Sequence, residues 1–317
     1  MGRFILRRVV LSLVTLLILI VIVFLLTGVF PGDPARTIAG PFASEEAYQL
    51  IRERIGSDDP MLTQFGRLLV DTATFDFGDS YELDTPVRGL IIPALRRSAL
   101  LVAFALAMTI PVSIAAGVYA ARKKDTLIDR SIVTIGVSSA AIPEFVSGIM
   151  LQYFIGIQLG WFPAIADAPD GSSLLTQLNH LVLPALAILL VYFGYIARVA
   201  RAGSIEAVEA DYTRTAYMKG LSSRQVVTGH ILRNSLQPTV AVIGTQIGYL
   251  FGGLVALEVL FNYRGLGNLI FRAANKQDLA VLQAGIITVA IIFMIATLAA
   301  DITIAWMNPR ARLDIKD

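Results

Sequence analysis

The chain is 317 residues long, 56% hydrophobic and only 16% charged, with a mean hydropathy of +0.69 and a formal charge of +2. These values exclude an ordinary soluble domain of this length and indicate an integral membrane protein, for which the distribution of charge matters more than its sum. With no cysteines, and with His180 and His230 fifty residues apart, disulfides and thiolate metal sites are excluded and no metal site is argued for.

In chain order, Arg3, Arg7 and Arg8 precede an uncharged run at residues 9–30. That run is too long for the core of a signal peptide, about 7–15 residues, and no small-residue cleavage pattern follows it. It reads as a retained first transmembrane helix with a cytoplasmic N-terminus. Residues 31–97 form a hydrophilic insert with eleven acids, seven arginines and no lysine. Within it, Ser44 is placed to cap a helix that Gly56 stops, and Asp59-Pro60 reads as an N-cap with proline at the first helical position. Leu62, Phe65 and Leu69 then share one helical face, so the insert is expected to be a small folded module outside the cytoplasm.

The second span is expected at residues 98–121, around Pro111, ending in the cytoplasmic cluster Arg122, Lys123, Lys124 and Asp125. The third, 131–159, contains Pro143 and, beside it, Glu144. A carboxylate inside such a run should face a water-filled path or a polar partner, unless it lies nearer an interface than hydropathy suggests. Residues 160–179 carry no Lys or Arg, as an outside loop should, and a short fourth span covers 181–197. The fifth begins at Pro238. Its Gly244, Gly248, Gly252 and Gly253 favour close helix approach, while Gln246 and Tyr249 are polar groups available to line a path. The sixth, 279–307, holds Asp301 near its cytoplasmic end, placed to pair with a basic residue, and Trp306 at the interface. The segments assigned inside carry 16 Lys and Arg and those outside carry 10, seven of them in the module, where charge weighs little in orientation. The expected architecture is therefore all-α with six transmembrane helices, N-in and C-in. It divides into residues 1–30, a module at 31–97 between helices 1 and 2, and a core at 98–317 that includes a cytoplasmic loop at 198–237 between helices 4 and 5.

That loop is the most structured polar interval. Ile205, Val208, Tyr212 and Ala216 are expected on one face of a single helix, which Gly220 ends in a left-handed cap with Lys219 in the last turn. Ser222 and Gln225 form a capping box opening a second helix through Val226, Val227, Ile231 and Leu232, and Pro238 marks entry to the next span. Taken by itself, this spacing equally describes a capped hairpin with no partner.

The stretch from Glu206 to Arg224, continuing from His230 to Pro238, resembles the cytoplasmic coupling loop of permease subunits in the dipeptide, oligopeptide and nickel group of ABC importers. Arg214-Thr215-Ala216 stands where the wider superfamily has Glu-Ala-Ala, a departure similar to the peptide-importer branch, so no role is carried over to the Glu position. Further likenesses lie in 31–35, 55–60, 77–81, 142–145, 159–163, 258–268 and 308–312, in matching order along nearly the whole chain. Asn308 replaces the usual Asp of the last segment, and Glu144 has no counterpart in the family pattern.

The resemblance implies a prokaryotic cell-membrane assembly of two homologous permeases, two ABC ATPase subunits and an extracytoplasmic substrate-binding protein. It implies peptide as cargo, with a nickel chelate or glutathione as alternatives. The expected ATPase contacts are Asp211, Tyr212, Thr215, Ala216, Lys219, Gly220 and Leu221. The candidate path residues are Glu144, Gln246, Tyr249 and Glu258. The chain contains no phosphate-binding Gly-x-x-x-x-Gly-Lys-[Ser/Thr] loop, so ATP and Mg are expected only in the partner subunits, with no cofactor, catalytic residue or nucleic acid bound here. Gly265 and Gly267 lack the third glycine and preceding strand of a dinucleotide fingerprint. An intramembrane enzyme would need convergent catalytic groups, and neither His-Glu-x-x-His nor Gly-x-Ser-x-Gly occurs. An ion-coupled secondary transporter is the remaining alternative, distinguished by the absence of ATPase partners.

Overall fold

Long uncharged stretches with small residues at regular intervals form long helices that approach closely, and this chain shows both features. A computed structural model describes residues 2–28, 34–40 and 42–307, in which the regular elements are helices joined by loops, with one isolated bridge, Asp79 with Pro86. Five helices are long and apolar enough to cross a membrane: α1 (Gly2–Gly28), α5 (Val87–Arg122), α9 (Val182–Glu209), α12 (Leu232–Leu260) and α14 (Leu279–Met307). A sixth crossing is available only if α6 (Leu127–Ala140) and α7 (Glu144–Leu151), continued by π-helical Gln152–Gln158, act as one broken span bent by 101°.

That break corrects the single helix expected at 131–159. Pro143 supplies no N–H, disfavours the helical conformation at Ile142, and itself adopts ψ 139° as the cap of α7. Pro93, Pro111 and Pro238 lie inside helices instead. Pro238 opens the apolar span Pro238–Leu260 as expected, although helix α12 that carries it begins earlier, at Leu232. The second span also differs from expectation, starting at Val87, within the interval assigned to the module. Its first turns bury Val87, Ile91 and Ala94 against Leu68 and Phe77 of the module and Leu266.

Helix α9 is the centre of the bundle and packs on α5, α6, α7 and α12. Its buried positions are mostly small: Ala185, Ala187, Gly194, Ala197, Ala200, Gly203, Ser204 and Ala207. A Cβ on Gly194 would lie 2.0 Å from the carbonyl oxygen of Gly136 on α6, and one on Gly203 would lie 2.5 Å from that of Ser235 on α12. Without a hydrophobic drive between helices in lipid, such backbone approach is what holds them together.

Before α5, the module contains α2 (Pro34–Ala39), α3 (Glu45–Ile55) and α4 (Met61–Thr74). Ser44 accepts the Ala47 N–H and Gly56 ends α3 at φ 66°, as expected. Asp59 does not cap α4; its carboxylate pairs with Arg67 at 2.5 Å, and Pro60 holds the cap position without a side-chain bond. The module is tied to α14 through Asp278, which accepts from the Ser80 hydroxyl at 2.5 Å and the Val281 N–H at 3.3 Å. At the same end the Gln283 amide donates to Thr27 of α1 at 2.8 Å, and at the opposite end Arg8 pairs with Asp301 at 3.0 Å. Segments 31–33 and 308–312 lie outside the described residues, as does the side chain of Trp306.

Gly194→Val would force α6 and α9 apart, overpacking that costs about 1–3 kcal/mol. The expected result is a thermal midpoint in detergent several degrees lower, read by fluorescence-detected gel filtration, whereas Gly229→Ala, with open space around it, leaves it unchanged.

Candidate functional site

Three constellations stand out, at the corner end, at mid-bundle and at the module end. At the corner end, α9 stops at Glu209 because Ala210 is extended, with ψ 146°, and α10 (Asp211–Met218) starts afresh. The Thr213 hydroxyl donates to the Ala207 carbonyl at 2.6 Å and so satisfies an acceptor freed by the break. The expected single face of Ile205, Val208, Tyr212 and Ala216 is thus divided between two helices. Val208 and Tyr212 are exposed, while Ala207, Ala216, Val226 and Ile231 form a small core with Leu221 and Val227. Gly220 has φ 78°, and the Leu221 N–H reaches the Ala216 carbonyl at 3.3 Å. The capping box is present, with Ser222 N–H donating to Gln225 Oε1 at 2.9 Å and Ser222 Oγ accepting the Gln225 N–H at 3.4 Å.

From Ser223 the chain runs through α11 (Ser223–Val226) and π-helical Val227–Ile231 straight into α12. Of the residues expected to meet a partner, Asp211, Tyr212, Thr215, Lys219 and Gly220 are exposed, Leu221 is half-buried, and Ala216 is buried inside the corner. Tyr217 and Met218, the latter 74% exposed, extend the apolar surface of Tyr212 and were missed from sequence. A helix restarted at Asp211 would have placed them outward. Behind the corner, Arg201 grips Asp129 with Nε at 2.5 Å and Nη2 at 2.6 Å, and Lys124 pairs with Glu209 at 2.8 Å.

At mid-bundle, Glu144 is the first residue of α7, at the bend of the broken pair. Its carboxylate lies on Gly253 of α12, where a Cβ would be 1.7 Å from Glu144 Oε1. A cavity of about 360 Å³ opens beside it, bordered by Val255, Val259 and Phe271. On the same helix, Tyr249 is 66% exposed and meets the Phe293 ring edge-on at 6.4 Å, and Gln246 is half-buried. Gly244 and Gly248 receive Ala300 and Phe293 of α14, so they are close-approach glycines as expected, whereas Gly252 faces open space.

At the module end, Glu258 is only 1% exposed. Its carboxylate accepts the hydroxyl of Ser98 and the N–H of Asn268 at 3.0 Å, capping α13 (Leu266–Lys276). Ser98 in turn accepts the Leu266 N–H at 2.8 Å, and the Asn268 amide donates to the Tyr263 carbonyl at 2.9 Å. The structure thus gives Glu258 a capping duty within the chain. The Tyr263 hydroxyl, pushed up from its usual range by burial, donates to the Arg97 carbonyl at 2.8 Å. Arg97 and Arg264 both hold Asp167, and Arg264 also holds Asp170 at 2.9 Å, which pins the loop between α7 and α9. Among the described residues, no three His, Cys, Asp or Glu side chains converge as a bound metal would require.

Residues 113–313 match the family described as the binding-protein-dependent transport system inner membrane component, and residues 1–95 match the N-terminal region of such membrane components. The chain belongs to this family of inner-membrane transport components. The permease is 36% identical over 314 residues to a peptide transport system permease protein of Brucella abortus (strain 2308), covering 99% of this chain and 100% of that one. It is 34% identical over 313 residues to the glutathione transport system permease protein GsiC of Escherichia coli (strain K12), covering 98% and 99%. A third relative, a peptide ABC transporter permease protein of Sinorhizobium fredii, is 32% identical over 312 residues. Family and apolar helices together make it a multi-pass inner-membrane protein.

Glu258→Ala would strip an acceptor from Ser98 and from the α13 backbone, with a loss of about 1–3 kcal/mol for each group left unsatisfied. The expected outcome is a marked fall in thermal midpoint with faster proteolysis near α13, while Glu258→Gln, which keeps an acceptor oxygen, loses less. Arg201→Ala leaves the Asp129 carboxylate, 3% exposed, without its cation. Because Arg201 is 25% exposed, the expected loss is about 2 kcal/mol, below the range for fully buried pairs. A cycle with Asp129→Asn should recover part of it.

Proposed function

We propose that this permease is one half of the transmembrane path of an ATP-driven importer for di- and oligopeptides delivered by an extracytoplasmic binding protein. It works beside a second homologous permease and two ABC ATPase subunits. The chain crosses six times, with α6 and α7 as one broken crossing, both termini in the cytoplasm and the module outside. ATP and Mg belong to the ATPase subunits, and this chain performs no chemistry on the cargo.

The observation that carries this reading is the exposed surface of Tyr212, Thr215, Tyr217, Met218 and Lys219 on a capped corner. The corner is joined at one side to α9 and at the other, through continuous helix, to α12. A partner groove that grips α10 therefore acts on two of the bundle's long helices at once. When ATP draws the ATPase pair together, the corner moves with it, and α9 and α12 turn the path from inward-facing to outward-facing. Asp211 at the start of α10 and Lys219 at its end suit the helix dipole, and between them Tyr212, Arg214, Thr215, Tyr217 and Met218 offer a mixed polar and apolar surface for contact. The name of the GsiC relative supports glutathione, itself a small peptide, as a second cargo to test.

Proteoliposomes containing the whole assembly should accumulate peptide only with ATP inside and loaded binding protein outside. Uptake that follows an ion gradient without ATPase subunits would overturn the importer reading. Gly220→Val strains a β-branched residue at positive φ by about 1–3 kcal/mol. It should cut ATP-dependent uptake while the protein still inserts and co-purifies with the second permease; normal uptake would remove the lever.

A further inference from the structure

Glu144 is a carboxylate that neither the polar ties nor the corner described above employ. It starts α7 at a 101° bend, deep in an apolar pair of helices, and makes no hydrogen bond or ion pair with any described residue. Nothing basic borders the cavity beside it. Phe145, next to it on α7, is 46% exposed, and Tyr249, one turn before Gly253 on α12, is 66% exposed, so this side of the chain is open. On the broken crossing proposed above, a carboxylate on an open face is too costly to meet lipid, and it requires water or a cation.

The surroundings are built for a cation. Gly253 leaves room for the carboxylate directly on the α12 backbone, and a Cβ there would displace the tip of the Glu144 side chain. Val255, Ala256 and Val259 furnish an apolar wall, and the partly exposed ring of Phe271 borders the same space of about 360 Å³. An anionic oxygen and an aromatic ring bordering one apolar cavity suit an ammonium group carried on a short organic chain.

We propose that Glu144 is a specificity-determining residue that receives the free N-terminal ammonium of a peptide as it passes through the permease. This rests on the importer reading above. A transported peptide always brings an ammonium unless it is blocked, so the carboxylate finds its cation during each passage and water between passages. The site discriminates by charge and not by side chain, which suits cargo of varied sequence.

The test uses proteoliposomes of the complete assembly and the ratio of uptake of trialanine to N-acetyl-trialanine, each normalised to its measured occupancy of the binding protein. For the unaltered permease the ratio favours the free amine, and in Glu144→Gln it falls about tenfold, as expected when a complementary charge is removed. Glu144→Asp retains part of the preference. A second arm bypasses the binding protein: a water-soluble carbodiimide should join the trialanine amine to Glu144 in nanodisc-held assembly as an amide, itself leaving as its urea, with an adduct yield by mass spectrometry above that at exposed carboxylates such as Glu45 and Glu46. An unchanged ratio in Glu144→Gln with no such excess of adduct overturns the proposal. Loss of the second permease from Glu144→Gln preparations, with both peptides reduced equally, assigns the carboxylate to a cation of that subunit instead. If the unaltered assembly shows no ATP-dependent uptake of either peptide, the importer reading itself fails and takes this one with it.

Discussion

The structure depends on close contact between helix backbones along α9. In lipid, large apolar side chains gain nothing by leaving their surroundings for one another, so helices associate where small residues let main chains touch. Gly194 against Gly136 and Gly203 against Ser235 bring α6 and α12 onto α9 within a few ångströms, and the alanines between them admit α5. Leucine, valine and isoleucine along α1, such as Leu13, Leu17 and Ile18, remain outward, where lipid receives them. Small residues thus mark where the backbones meet on α9, while bulky side chains such as Leu101, Ile188, Leu257 and Phe261 fill the spaces between the helices.

Polar groups then fix what small residues bring together. Each end of α1 is tied to α14, by Thr27 with Gln283 and by Arg8 with Asp301, so those two helices cannot slide past one another without breaking both ties. The bidentate Arg201 and Asp129 pair holds α6 to α9 immediately behind the corner. Glu258 does the same at the other end, joining α5, α12 and α13 through Ser98 and Asn268. These ties turn a set of close-packed helices into a body that can move as one, which a lever requires. Against this background Glu144 is unusual, as a carboxylate in the bundle with no tie of its own.

Much of this was legible in advance where chemistry is local. The Ser44 cap, the Gly56 stop, the left-handed Gly220 and the Ser222 with Gln225 box each depend on residues within one turn, and each formed as read. The pairing of Asp301 with a basic residue was also expected, though not that the partner would be Arg8. Less was legible where two signals compete. Asp59 beside Pro60 has the form of a cap, but Arg67, nearly two turns into the next helix, offered its carboxylate a charged partner. The face drawn through Ile205 and Ala216 assumed one helix, and a single extended residue at Ala210 shifted the phase, burying Ala216 and exposing Tyr217 and Met218.

The amino-acid sequence by itself determined the membrane class, the long apolar helices, the capped corner and the family, because hydropathy, caps and motif order act over short spans of chain. Tertiary structure alone decided that α9 is the hub, that residues 131–158 bend sharply at Pro143, and that Glu258 is a buried cap while Glu144 opens to a cavity. Both glutamates look alike in sequence, each a lone carboxylate beside an apolar run. What separates them is whether another helix brings hydrogen-bond donors within reach. Ser98 lies 160 residues from Glu258, and only the folding of α5 against α12 and α13 places it there.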